Sequence, residues 1–471
     1  MPDKINLAVI GAGPGGHAAA FLAADLGMDV TLIDKEKNPG GVCLYCGCIP
    51  SKALLHVAKL IHEAEQAENW GVKFGKPEIN IDKLRAFKNN VVEKLTGGLG
   101  IISKQRKVNY IRGTAAFINS TTLKLDKHDG SSEQKSFDKI IIATGSKIAD
   151  IPSLSIKSNR LLNSTSALEL PEIPGSMLVI GGGYIGLELG SVYQALGTEV
   201  SVVEMMPGLL PGADRDLVAQ LSKRVKNNFK EILLESRVIE IKESGSKLSV
   251  KIESADNKIT SREYDYVLMS VGRKPDTNGL DLKNTSVRLT EKGWIKVNRQ
   301  MQTDDPDIYA IGDIVGEPML AHKATHEGKV AVEAIAGHKV AFEPMAIPAV
   351  VFTDPEIAWA GLTEELAKEK NIEVEIAKFP WAASGRAITL DRNDGLTKLI
   401  IEPGTERILG VGICGPGAGE LIAEGVLAIE MGANATDLKL SIHPHPTLSE
   451  TIMEAAEVFF GQSTNIYRPK K

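Results

Sequence analysis

The stretch Ile5-Asn6-Leu7-Ala8-Val9-Ile10-Gly11-Ala12-Gly13-Pro14-Gly15-Gly16 decides the fold. A short apolar strand runs into a G-x-G-x-x-G turn. An alanine-rich helix, Ala18 to Leu26, follows; then come Gly27 and a second strand, Val30 to Ile33, ending on Asp34. Such a turn lets a pyrophosphate approach the N-terminus of a helix, and the acid ending the next strand is placed to bond a ribose hydroxyl. A glycine triplet alone is a weak signal. With strand, helix and terminal acid around it, the segment reads as a dinucleotide-binding unit.

The unit occurs twice. Ile10, Gly11, Gly13, Gly16, Gly27, Val30 and Asp34 are answered by Ile180, Gly181, Gly183, Gly186, Gly197, Val200 and Glu204, each 170 positions later. Seven matches at one offset predict two Rossmann-like domains and two dinucleotides. Between them Lys139 to Ala143 is another strand, entering the turn Thr144-Gly145, and Val267 to Val271 with Gly272 is its counterpart after the second unit. Ile308 to Ile311 then aims Asp313 at the end of a strand, where it could bind a ribitol hydroxyl; an Asp after a Gly is also an ordinary turn residue. Met319 to Val332 reads as helix. From Pro344 the composition changes: strand-like segments (Ala349 to Phe352, Lys398 to Ile401, Val411 to Cys414) alternate with helices (Gly419 to Glu430, Leu448 to Phe460) and no phosphate loop. This is an α+β pattern.

The chemistry concentrates in Gly40-Gly41-Val42-Cys43-Leu44-Tyr45-Cys46-Gly47-Cys48-Ile49-Pro50-Ser51-Lys52, which holds three of the four cysteines of the chain. A flavin must lie against the disulfide with which it exchanges electrons. FAD is therefore assigned to the N-terminal unit and the nicotinamide cofactor to the second. Glu204 is followed by Met205-Met206-Pro207, with no arginine for a 2′-phosphate, so NAD is favoured over NADP. By spacing, Cys43 and Cys46 form a C-x-x-C on one helical face, whereas residues five apart do not share a face. Gly47 and Pro50 could distort the first turn enough to bring Cys43 to Cys48. A zinc site would need a fourth ligand, and only His56 is near in sequence, so no metal is expected.

The bulk composition narrows the function classes. At 471 residues the chain exceeds one ordinary core, because domains run to about 100–200 residues. A net charge of −6 with interspersed signs argues against nucleic acid as a partner. No apolar run nears the roughly 18 residues of a membrane span, and Ile5 to Ile10 reads as a strand rather than a signal-peptide core. Four cysteines are too sparse for a disulfide scaffold, which suits a reducing cytoplasm and a transient, catalytic disulfide.

With two matched nucleotide units, a C-x-x-x-x-C pair and His445-Pro446-Thr447 near the end, the sequence resembles the flavoprotein pyridine nucleotide–disulfide oxidoreductases. Cys48-Ile49-Pro50-Ser51-Lys52 beside an NAD-type Glu204 is similar to the dihydrolipoyl-oxidising branch. The resemblance covers essentially the whole chain. It implies an α/β fold with an FAD domain at 1–148 and 275–345, an NAD domain at 149–274 and an α+β dimerisation domain at 346–471. It also implies a homodimer whose active sites are shared between subunits. Cys43 and Cys48 become the redox pair, Cys43 meeting the substrate thiol and Cys48 the flavin. Lys52 lies at the flavin, paired with Glu188. His445 is the base for the dithiol, charge-stabilised by Glu450, although Thr447 to Glu450 also spells a helix capping box. His443 is read as a bystander and Cys46 as a departure, either a small buried residue or a third thiol able to reshuffle the disulfide. The implied partners are the lipoyl domains and acyltransferase core of a 2-oxoacid dehydrogenase complex, or the glycine cleavage system. A reductase of another disulfide, and a non-catalytic scaffold, are the competing readings.

Overall fold

The computed structural model describes residues 4–467. Its first sheet has seven strands in the spatial order Ile308–Ala310, Lys139–Ile142, Asn6–Ile10, Asp29–Asp34, Asn109–Asn119, Thr122–Lys127 and Ser132–Ser136. The first five are parallel and the last two turn back antiparallel. Asn6–Ile10 sits inside the parallel part and is buried along almost its whole length, as a continuous apolar run predicts. The strand near residue 310 rejoins this sheet after the chain has built a second one.

The second sheet is all parallel, in the order Glu231–Leu233, Glu199–Val203, Ser176–Ile180, Tyr266–Met269, Leu161–Asn163. The repeat seen in the sequence holds in three dimensions. Strand Asn6–Ile10 and helix Pro14–Asp25 match strand Ser176–Ile180 and helix Tyr184–Ala195 residue for residue at the same offset. A three-stranded antiparallel sheet from Arg237 to Tyr264 covers one face of this unit. Two short antiparallel strands, Ser146–Ile148 and Arg273–Pro275, join the two nucleotide units where the chain crosses out and back.

The C-terminal portion is a five-stranded antiparallel sheet in the order Ala349–Val351, Ile357–Gly361, Ile408–Cys414, Leu396–Ile401, Glu375–Pro380. Helices Ala418–Glu430 and Glu450–Phe459 pack on it around Phe379, Trp381, Leu399 and Ile413. Strands Ile357–Gly361 and Glu375–Pro380 are absent from the sequence reading; at five and six residues they are too short to give a strong periodic signal. The last helix starts at Glu450 rather than Leu448, and its N-terminal residue Ser449 makes no side-chain cap. Only half of the capping box exists. Thr447 N–H donates to Glu450 Oε2 at 2.7 Å, while the Thr447 hydroxyl donates to Pro444 O.

Buried charge fixes the second nucleotide unit against the C-terminal sheet. The Lys398 ammonium is wholly buried and lies 2.6–2.8 Å from carboxylate oxygens of Asp214, Asp216 and Glu364. Removing Lys398 would leave the buried Asp214 carboxylate uncompensated, at a cost of about 3–5 kcal/mol. Leu217 fits against Gly412, where a Cβ would meet its side chain at 2.7 Å.

Within the helical stretch Gly41–Trp70 one 18-residue window has a mean hydropathy of 1.3, long and apolar enough by length and composition alone to cross a membrane. Its apolarity has a packing cause, since Leu54 and Ala58 enter the same core as Leu187 and Leu189 of the second unit.

Candidate active site

The glycine turns fit a bound dinucleotide. Gly11 has φ +100°, and a Cβ there would meet Ala143 O at 2.3 Å; Gly181 has φ +105° and would meet Ser270 O at 2.6 Å. Gly16 and Gly186 lie so close to the carbonyls of Gly11 and Gly181 that no side chain fits. The middle glycines, Gly13 and Gly183, face open space at the start of their helices, where a pyrophosphate would lie against unpaired N–H groups.

The acids repeat as well. Asp34 accepts from Ala12 N (2.6 Å) and Glu36 N (2.9 Å), and Glu204 from Gly182 N (2.6 Å) and Met206 N (2.7 Å). Every carboxylate oxygen has two lone pairs, so each acid holds the glycine turn and keeps acceptor capacity for a ribose hydroxyl. Asp313 is held at the end of strand Ile308–Ala310, and its Oδ2 accepts from Ser146 Oγ. Ser146 is itself bonded by Arg273 Nε (2.7 Å) and Arg273 Nη2 (2.6 Å, to the carbonyl), which leaves Asp313 Oδ1 for a ligand. Thr144 and Gly145 tie the crossing to Asp276: the Thr144 hydroxyl donates to Asp276 O and Asp276 N–H to Gly145 O. Gly272 has φ +109° and open space above it. Ser146 and Arg273 were not legible as site residues, because their roles depend on how two distant segments pair.

The dithiol owes its geometry to one broken turn. Helix Gly41–Cys46 ends and helix Cys48–Gln66 begins on either side of Gly47, whose φ and ψ are −142° and −112°. This break returns Cys48 toward Cys43, so that the two thiol groups face each other. Cys48 is lowered to about 7, first by the hydrogen bond from Cys43 and then by the Lys52 ammonium, against the opposing effect of burial. Cys43 is raised by the same hydrogen bond and by burial. The pair therefore holds one easily lost proton and one tightly kept. Cys46 lies elsewhere: burial raises its pKa, opposed by the hydroxyl of Thr165 in the first turn of helix Ser164–Leu168.

Lys52, one turn beyond Cys48, meets Glu188 Oε2 at 2.9 Å, while Glu188 Oε1 accepts from Phe352 N at 3.0 Å. Glu188 is only 3% exposed. The Lys52 ammonium also lies 4.6 Å from the centre of the Phe352 ring. At the far end of the chain, His445 Nδ1 lies 2.9 Å from Glu450 Oε1 with the imidazole side chain 77% exposed. Among the described residues no hydrogen bond joins His445 to Cys43 or Cys48 of its own chain.

Two cofactor cradles flanking a dithiol, with an exposed histidine–carboxylate pair on a separate sheet domain, define a disulfide oxidoreductase that works with a flavin and a pyridine nucleotide. The chain belongs to the pyridine nucleotide-disulphide oxidoreductase family, whose model matches residues 5–328 and whose dimerisation domain matches residues 347–456. Its relatives include the dihydrolipoyl dehydrogenases of Vibrio cholerae and Haemophilus influenzae, each 47% identical over 99% of this chain and 97–98% of the relative. That of Geobacillus stearothermophilus is 45% identical, over 97% of both chains. Among solved structures, LpdA from Mycobacterium tuberculosis superposes with a TM-score of 0.89 at 26% identity, covering 96% of this chain and 98% of that one. The HOCl-induced flavoprotein disulfide reductase RclA from Escherichia coli gives 0.85 at 26% identity, covering 96% and 99%. FAD and NAD are the cofactors of this family of enzymes, and the two cradles fit them.

Proposed function

We propose that the protein oxidises protein-bound dihydrolipoyl groups to lipoyl groups and reduces NAD to NADH. The observation that carries this is the full-length identity of 47% to dihydrolipoyl dehydrogenases, with no large part of either chain left over. FAD, when bound, accepts two electrons from the dithiol and delivers them to NAD.

In this reading the working form begins with a Cys43–Cys48 disulfide. A substrate thiolate attacks Cys43 Sγ: a substrate–Cys43 bond forms, the Cys43–Cys48 bond breaks and Cys48 leaves as thiolate. The second substrate sulfur then attacks the first, closing the lipoyl ring and releasing Cys43. Two electrons enter the protein as the dithiol. Its lowered pKa suits Cys48 to carry the negative charge, with Lys52 beside it and Glu188 holding Lys52 in place. His445 of one subunit takes the substrate proton at Nε2 while Glu450 holds Nδ1–H. The exposure of His445 and its lack of a bond to its own dithiol support a site completed by a second copy of the chain.

Glu204 supports NAD as the acceptor, because an acid at the ribose repels a 2′-phosphate. The natural partners are lipoyl domains of a 2-oxoacid dehydrogenase complex or of the glycine cleavage system, in the cytoplasm. Supplying holoenzyme with NAD and dihydrolipoamide, and then with dihydrolipoyl domains, tests the proposal. NADH formation with both is the expected result. Activity only as an NAD(P)H-driven reductase of some other disulfide would replace it.

A further inference from the structure

His445 is carried by an irregular segment between helix Ala435–Leu440 and helix Glu450–Phe459. From Ile442 to Thr447 the backbone makes no hydrogen bond to other backbone among the described residues. Two prolines in the segment, Pro444 and Pro446, lack the N–H to make one. Ile442 is 99% exposed, so apolar packing does not hold the segment either. A base presented this way needs side-chain anchors if it is to keep one position.

His443 is the strongest of them. Its side chain is 7% exposed although its neighbours Ile442 and Pro444 are exposed, and both ring nitrogens are bonded. Nδ1 lies 2.9 Å from Ser441 O and Nε2 lies 2.7 Å from Glu424 Oε1, on helix Ala418–Glu430. Both partners are acceptors, so the ring is held from its two edges, between the segment's own backbone and a neighbouring helix. Two histidine–glutamate pairs thus stand two residues apart with different geometry. His443–Glu424 is inward and fully bonded, while His445–Glu450 is outward with Nε2 unbonded.

We propose that His443 and Glu424 form a positioning pair, clamping the segment to helix Ala418–Glu430 so that His445 Nε2 stays aimed at the dithiol it serves. The proposal rests on the reading of His445 as the base. Displacing a reacting group by about 1 Å can cost on the order of 100-fold in rate, so a side-chain clamp on an otherwise unladdered segment matters.

The test compares His443→Ala, Glu424→Ala, Glu424→Gln and the double alanine variant, as holoenzyme, with His445→Gln as reference. Two rates are read: reduction of NAD by dihydrolipoamide, and reduction of the bound flavin by NADH. The alanine variants should lose about 10- to 100-fold in the first rate and stay within about twofold in the second. The double variant should lose no more than either single one, because the two side chains act as one unit. Glu424→Gln keeps an acceptor for Nε2–H and should lose less than Glu424→Ala. Single alanine variants within about twofold of the parent, beside a strongly impaired His445→Gln, would overturn the clamp and leave the base standing. An unimpaired His445→Gln would overturn the base reading, and the clamp with it. Loss of both rates together, or of the dimer by sedimentation, would mark the pair as merely structural and also overturn it.

Discussion

Lys52 Nζ lies 2.9 Å from Glu188 Oε2 although the residues are 136 positions apart. The pair ties the helix that carries the dithiol to the first helix of the second nucleotide unit, and Glu188 also accepts from Phe352 N of the C-terminal domain. One carboxylate therefore holds three parts of the fold together beside Cys48. Glu188→Ala removes both bonds and leaves a polar N–H unpaired, which costs about 1–3 kcal/mol for such a group. Thermal unfolding of the variant should show a lower midpoint, and combining it with Lys52→Met should recover part of the loss. A double variant as unstable as the sum of the singles would refute this coupling.

The dithiol should titrate early. Cys48 is lowered to about 7 from a free-thiol value of 9.0, so its thiolate predominates above pH about 7 and is lost as pH falls below it. The alkylation rate of reduced enzyme by iodoacetamide should rise through that range. In Cys43→Ala the hydrogen bond from the Cys43 thiol, the largest contributor to the lowering, is removed, and in Lys52→Met the nearby positive charge disappears. Both rises should move to higher pH. A profile of either variant that overlays the parent would contradict the assigned causes.

Subunit sharing has a mixing signature. Cys48→Ser and His445→Gln homodimers are each expected to be inactive in dithiol oxidation, with His445→Gln falling about 100- to 10,000-fold. If the histidine serves the partner's cysteines, each mixed dimer has one complete site and one doubly defective site. After subunit exchange half of a random mixture is mixed dimer, so activity should recover to about a quarter of the parent. No recovery, with exchange verified by mass spectrometry, would place His445 with its own chain's dithiol.

Glu204 should govern the choice of nicotinamide cofactor. Glu204→Ala loses the acceptor for the ribose and for Gly182 and Met206 N–H. The KM for NAD should rise about tenfold, near 1.4 kcal/mol, while the discrimination against NADP shrinks. Unchanged NAD kinetics would remove Glu204 from the binding site.

Cys46 should be dispensable. Burial raises its pKa, and its neighbour is Thr165 rather than Cys43. Cys46→Ser is close in shape and keeps a hydroxyl beside Thr165, so dihydrolipoamide oxidation should stay within about twofold of the parent. A large loss, or a Cys43–Cys46 disulfide found by peptide mapping, would revive the third thiol as a redox partner.

Local chemistry made much of this protein readable from the chain. A pyrophosphate cradle needs glycines at set spacings between a strand and a helix, and an acid one strand later. All of these lie within some thirty residues, so both units and their offset are legible in the chain itself. The motif His445-Pro446-Thr447 and its nearby Glu450 were readable for the same reason. Pairings that depend on packing were not. Helical spacing favoured Cys43 with Cys46, and only the backbone break at Gly47 joins Cys43 to Cys48. Ser146 meets Asp313 because two strands of one sheet are built far apart in the chain. His443 looked idle because its partner Glu424 sits on a separate helix. Spacing along one element is set by backbone geometry and can be read from sequence. Contact between elements is set by which surfaces bury together, and only the tertiary structure decided that.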